Sequence, residues 1–104
     1  MAQITIVGDG PGGLSAALFL ARADHEVTVY GTDATVMHFA FLNNYLGIDA
    51  ISGTEFQNNA KQQVTDSGAT LLEQEVESVT VDQGVITVTS SANTHSPDFL
   101  ILGE

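Results

Sequence analysis

Three glycines near the start of the chain carry its clearest chemistry. Gly8-x-Gly10-x-x-Gly13 follows the apolar run Ile4, Ile6, Val7 and precedes a stretch in which Leu14, Ala17, Leu18 and Ala21 recur at helical spacing. In this pattern Gly8 permits the tight turn off a strand. Gly10 withholds the side chain that would block a pyrophosphate, and Gly13 lets the helix pack closely on the sheet. Pro11 sits at the start of the helix, where its missing N–H costs nothing. The N–H groups of the first helical turn, around Gly12, then point at an anion. The chemistry implied is the holding of a dinucleotide by backbone amides.

A second strand over 27–30 completes a β-α-β unit, whose strands should be parallel with a right-handed crossover. About 20 residues beyond the glycines such units place an acid for the ribose hydroxyls. That position is Gly31 here, with Asp33 two residues later as the alternative acid. A 2′-phosphate would want a nearby Arg or Lys, and Gly31-Thr32-Asp33 offers none, so NADP is disfavoured.

The remaining elements must build the sheet that holds this loop. Residues 33–48 are apolar with no clean period and read as a short helix followed by a loop. A helix starts near Thr54, since Ser52-x-x-Glu55 and Thr54-x-x-Gln57 both fit a capping box. Phe56, Ala60 and Val64 share a face of it, Gly68 stops it, and Leu71 and Leu72 begin a third strand. Val79–Val81 and Val85–Val88 alternate around Asp82-Gln83-Gly84 as a hairpin. Phe99–Leu102 is a last apolar strand, suited to a sheet interior covered on both faces. The expected fold class is α/β: a Rossmann-like three-layer sandwich, with helices on a parallel sheet and the hairpin as a small antiparallel layer.

The chain resembles the N-terminal FAD-binding segment of the two-dinucleotide-binding-domain flavoproteins, in particular the thioredoxin reductase-like branch. "IVGDGPGGLSAALFLAR" carries the resemblance, and "NNYLGIDAISGTEFQNNAKQQVTDSGATLLEQEVESV" and "PDFLILGE" extend it over nearly the whole chain. The resemblance implies that Gly8, Gly10 and Gly13 line the FAD pyrophosphate and that Pro11 and Gly12 supply the helix N-terminus. It brings Met37, His38 and Phe39 toward the flavin and Val76 near the adenine. Gly31 departs from the family pattern, which has an acid there. No Cys-x-x-Cys pair is present, and the resemblance covers what looks like a truncated first half of an FAD domain. FAD is the expected cofactor and NAD(H) the alternative; a half-domain that binds adenine nucleotide or assembles with another chain is the non-catalytic reading.

Composition narrows the partners. The 104 residues suit one domain spanning 1–104. With no cysteine, this segment has no disulfide, thiolate metal site or dithiol chemistry. His25, His38 and His95 lack metal-ligand spacing, and Glu73, Glu75 and Glu77 alternate as a solvated strand face, so no metal is expected and the catalytic residues are unknown. No apolar run is long enough to span a membrane and no basic leader is evident, which fits a cytoplasmic protein. Thirteen acids face only Arg22 and Lys61, for a formal net charge of −11. Such a field is a poor match for nucleic acid or anionic membranes. The near absence of lysine suits a salt-adapted protein and resembles short halophilic archaeal members of the family. The apolar last strand favours a homodimer.

Because −11 on a small domain is self-repulsive until screened, stability should rise steeply between low and molar salt, where the Debye length falls to about 3 Å. Melting temperature across that range is the measurement; a Tm that does not move contradicts the salt-adapted reading.

Overall fold

The computed structural model describes residues 1–33, 41–42 and 51–103. Its centre is a four-stranded, wholly parallel sheet of β1 (Gln3–Val7), β2 (Glu26–Gly31), β5 (Thr70–Glu73) and β9 (Phe99–Leu102), in the order β5-β2-β1-β9. Two helices, α1 (Pro11–Arg22) and α2 (Gly53–Asp66), pack against each other and against this sheet. Between β2 and α2, β3 (Phe41–Leu42) pairs antiparallel with β4 (Ile51–Ser52). The third layer is an antiparallel sheet of β6 (Val76–Asp82), β7 (Val85–Ser90) and β8 (Thr94–His95).

Handedness explains the layering. The chain steps from β1 to β2 to β5 in one direction, and right-handed crossovers put both helices on the same face. The return from β5 across the sheet to β9 runs the other way, so its antiparallel meander lands on the opposite face. Alternation along the strands divides the side chains accordingly. Ile4, Ile6, Val27 and Val29 face the helices and form the core with Leu14, Ala17, Ala21, Val64 and Ala69. The small Ala17 and Ala21 permit the close helix-on-sheet approach.

The other face is partly polar and is pinned by one cluster. The rings of Tyr30 and His95 stack with centroids 5.4 Å apart. His95 Nε2 shares a hydrogen bond with Thr5 Oγ1 at 2.7 Å, and the Tyr30 hydroxyl donates to Asn93 Oδ1 at 3.2 Å. Thr5 and Tyr30 are almost fully buried there.

Several expectations hold in detail. Ser52 caps α2, its Oγ accepting from the Glu55 N–H at 3.1 Å, and Gly68 follows the helix at φ +101°. Thr54 is not the N-cap, because α2 already begins at Gly53; Gln57 is turned inward and wholly buried. The buried stripe of α2 is Gly53, Gln57 and Val64, with Phe56 and Ala60 only half-buried.

The hairpin is longer and its loop shorter than expected. β6 and β7 pair from Val76 to Asp82↔Val85, leaving the two residues Gln83 and Gly84, both at positive φ (52° and 79°), as a type I′ turn. The short strand β8 adds to the hairpin by pairing antiparallel with β7. Within 33–48, Phe41–Leu42 is strand rather than helix or loop, and the rest beyond Asp33 lies outside the described residues.

Among the described residues Phe99–Leu102 is an edge strand, not an interior one. It leaves Phe99 60% and Leu102 70% exposed, because an apolar run alone does not say which neighbours a strand has.

Replacing His95 with Leu should leave the buried Thr5 hydroxyl without its partner, at a cost of about 1–3 kcal/mol. Urea unfolding of His95→Leu checks this; an unchanged midpoint would mean the cluster does not pin the layers.

Candidate functional site

The glycine loop leaves β1 where the sheet's C-terminal ends meet the start of α1. Gly8 has φ +113°, a conformation that L side chains rarely adopt, while its N–H continues the sheet by donating to Tyr30 O at 2.8 Å. Gly10 is the N-cap of α1 in ordinary extended backbone, so conformation does not demand glycine there. Pro11 is the first helical residue, and Gly10 O accepts the first helical hydrogen bond, from Leu14 N–H at 3.0 Å.

Gly13 is required by packing. A Cβ at Gly13 would collide with Gly8 O and lie 3.3 Å from Gly103 O. Reciprocally, a Cβ at Gly103 would lie 2.7 Å from Gly13 Cα. Gly103, just past β9, donates its N–H to Val7 O at 2.8 Å. Three backbone segments therefore meet with no side chain between them. Gly12, by contrast, is exposed, and a Cβ there would meet nothing within 4 Å.

Among the described residues, the first turn of α1 has the features that suit an anion. Its N-cap provides no side-chain hydrogen bond and its first turn holds no acid. The leading N–H groups of a helix have no acceptor within the helix itself, and the helix dipole favours negative charge there. In a chain of net charge −11 such a helix start offers positive potential without basic residues.

Beside the loop, at the ends of β2 and β5, lies a cleft of about 190 Å³ lined by Asp9, Val29, Gly31, Lys61, Leu71, Leu72 and Glu73. Asp9, the residue between the first two glycines, turns its carboxylate over Gly31. Its Oδ2 accepts from the Asp33 N–H at 2.9 Å, Asp33 being in the left-handed region at φ +60°. The Lys61 ammonium ion-pairs with Asp33 Oδ1 and stands 3.8 Å from Asp9 Oδ2. Behind the loop the buried Gln57 donates its Nε2–H to Asp9 O, and its Oε1 has no hydrogen-bond partner among the described residues.

The structure thus brings together Gly8, Gly10, Pro11, Gly12 and Gly13 at one helix start, with Gly31 and Asp33 beside them. Val76 opens β6 opposite Ser90 and does not line the cleft. His38 lies outside the described residues, as do Met37 and Phe39. His25 accepts from the Ala2 N–H at 3.1 Å and His95 joins the two sheets, both packing roles. Among the described residues no cluster of His, Cys, Asp or Glu suits a metal ion, and no helix is long and apolar enough to cross a membrane.

Sequence reasoning missed Asp9, Gln57 and Lys61. Asp9 stands at a motif position that is open to any residue. Gln57 and Lys61 lie four residues apart, hence on one face of α2, and that spacing is the signal that pairs them.

Residues 2–102 match the family model described as pyridine nucleotide-disulphide oxidoreductase. The chain belongs to that family. Among curated relatives, a thioredoxin reductase of Streptomyces clavuligerus is 34% identical over 97 residues, covering 88% of this chain and 30% of its own length. The atypical thioredoxin reductase TRi from Desulfovibrio vulgaris Hildenborough superimposes with a TM-score of 0.89 at 30% identity, covering 98% of this chain and 35% of that one. A thioredoxin reductase from Giardia duodenalis gives 0.87 at 27% identity, over 97% of this chain and 34% of that one. This family segment spans about a third of the length of the relatives it matches.

The two adjacent glycines should respond oppositely to alanine. Gly13→Ala forces the helix away from Gly8 and Gly103 and should cost about 1–3 kcal/mol or more. Gly12→Ala enters open space and should be neutral or stabilising by up to about 1 kcal/mol. Chemical denaturation of both variants checks the contrast; equal effects would contradict the three-backbone junction.

Proposed function

We propose that this chain is the FAD-binding segment of a thioredoxin reductase-like flavin oxidoreductase. The observation that carries the reading is the glycine-rich start of α1, reached through a Gly8 turn and seated by Gly13, with no side-chain cap at its N-cap. The cradle fits a dinucleotide: a Cβ at Gly13 cannot be accommodated, whereas the space over Gly12 is free.

The backbone of Gly8, Gly10, Gly12 and Gly13, with Pro11 starting the helix, would hold the pyrophosphate. Gly31 and Asp33 would border the adenosine, Val76 would lie near the adenine, and His38 would approach the flavin. When bound, a flavin supplies the electron and hydride chemistry, and the protein binds and orients it. With no cysteine in these 104 residues, dithiol exchange is not carried by this segment.

The edge strand β9, with Phe99 and Leu102 exposed, supports self-association into a homodimer. A halophilic, cytoplasmic setting accords with the charge balance, and nucleic acid and anionic membranes are not proposed as partners.

Protein purified in molar salt should release FAD on denaturation, and sedimentation followed at a flavin wavelength should give the mass of a dimer carrying that colour. Gly10→Val, whose side chain would occupy the phosphate space, should remain folded by circular dichroism and lose the flavin. A colourless protein whose melting responds to NADH would replace FAD by NAD(H). A protein that responds to neither would support the non-catalytic reading.

A further inference from the structure

Residue 31 ends β2, where dinucleotide-binding β-α-β units ordinarily place the acid that accepts from the ribose hydroxyls. Glycine at this position removes that acid, yet the place it would occupy is not vacant. A Cβ built on Gly31 would fall onto the Asp9 side chain, clashing with its Cγ and lying 2.5 Å from Oδ2 and 2.6 Å from its Cβ. All three atoms belong to one carboxylate-bearing side chain, so nothing larger than glycine fits at 31 while Asp9 lies as it does.

Asp9 is held in this position. Its Oδ2 accepts from the Asp33 N–H, presented by the left-handed backbone of Asp33, and Lys61 bridges toward both carboxylates. Its backbone is fixed from behind by Gln57. The side chain is only 15% exposed, and Oδ1 accepts no hydrogen bond among the described residues. An ionised carboxylate offers about four acceptor sites, so most of this group's capacity is left over. It opens on a cleft of about 190 Å³, below the roughly 300 Å³ at which whole small-molecule sites begin and nearer the scale of one sugar.

We propose that Asp9 is the ribose-hydroxyl acceptor of this chain: the carboxylate has moved from the end of β2 into the glycine loop, and Gly31 is the space it requires. The inference rests on the dinucleotide-binding reading and deepens it. It also sets specificity. The cleft is lined by Asp9 and Glu73 with the single cation Lys61, and Lys61 is itself ion-paired with Asp33, so the site accepts a free cis-diol and repels a 2′-phosphate.

The test titrates the whole chain, in molar salt, with ADP, 2′,3′-dideoxy-ADP and adenosine 2′,5′-bisphosphate by calorimetry. The wild type should prefer ADP over the dideoxy compound by roughly tenfold or more, the scale of hydrogen bonds to a charged acceptor. The bisphosphate should bind more weakly than ADP. Asp9→Ala and the isosteric Asp9→Asn should lose most of the ADP preference while still binding both nucleotides through the phosphates. Gly31→Glu should lose it too, because two side chains then contend for one space. The exchange Asp9→Gly with Gly31→Glu should restore it, a rescue that a merely structural role for Asp9 would not produce.

A preference for ADP that survives in both Asp9 variants overturns the assignment, as does a wild type that binds ADP and the dideoxy compound equally. A wild type that binds none of the three overturns the dinucleotide reading itself, and this inference with it.

Discussion

The molecule turns on a contact between backbones. Where β1 ends, α1 begins and β9 finishes, Gly8, Gly13 and Gly103 lie so close that no side chain fits between them. This junction fixes the start of α1 over the edge of the sheet, and so fixes where its N-terminal amides point. It also ties the last strand to the first, through the Gly103 N–H on Val7 O. The rest of the site is arranged around that start: Asp9 leans toward β2, and α2 closes behind it with Gln57 and Lys61.

The two faces of the sheet divide the labour. The helical face is aliphatic and close-packed, and it holds the loop steady. The opposite face is joined to the meander by Thr5, Tyr30, Asn93 and His95, a polar pin that matches particular side chains across two sheets. Charge is distributed just as unevenly. One of only two basic residues, Lys61, is spent beside Asp33 and Asp9, and no basic residue caps the anion-facing start of α1. In the proposed function, phosphate affinity then rests on amides and the helix dipole, within a negative field that salt screens.

Much of this was legible in the sequence because local rules agreed with one another. Glycine spacing, apolar period and the Ser52 cap each pointed to the element that is found. The sheet membership of β1, β2, β5 and β9 followed from those elements. The residues that sequence missed act across distance. Gln57 reaches a backbone 48 positions away, and a polar residue in a core stripe looks like a surface residue until its partner is known. Asp9 gave no sign, since its meaning depends on Gly31 being empty. The edge position of β9 was equally hidden: Phe99–Leu102 reads as an interior strand, and only the order β5-β2-β1-β9 shows that nothing lies beyond it among the described residues.

The central claim is that the start of α1 and the end of β2 together hold the pyrophosphate and ribose of one nucleotide. A chain of 104 residues suits a nitrogen–proton correlation spectrum, titrated with ADP in molar salt. The account requires the amide shifts to concentrate at residues 8–14 and 31–33, with the β6–β7 hairpin unmoved. Shifts that are absent, or that gather on the hairpin or the β9 edge instead, would contradict it.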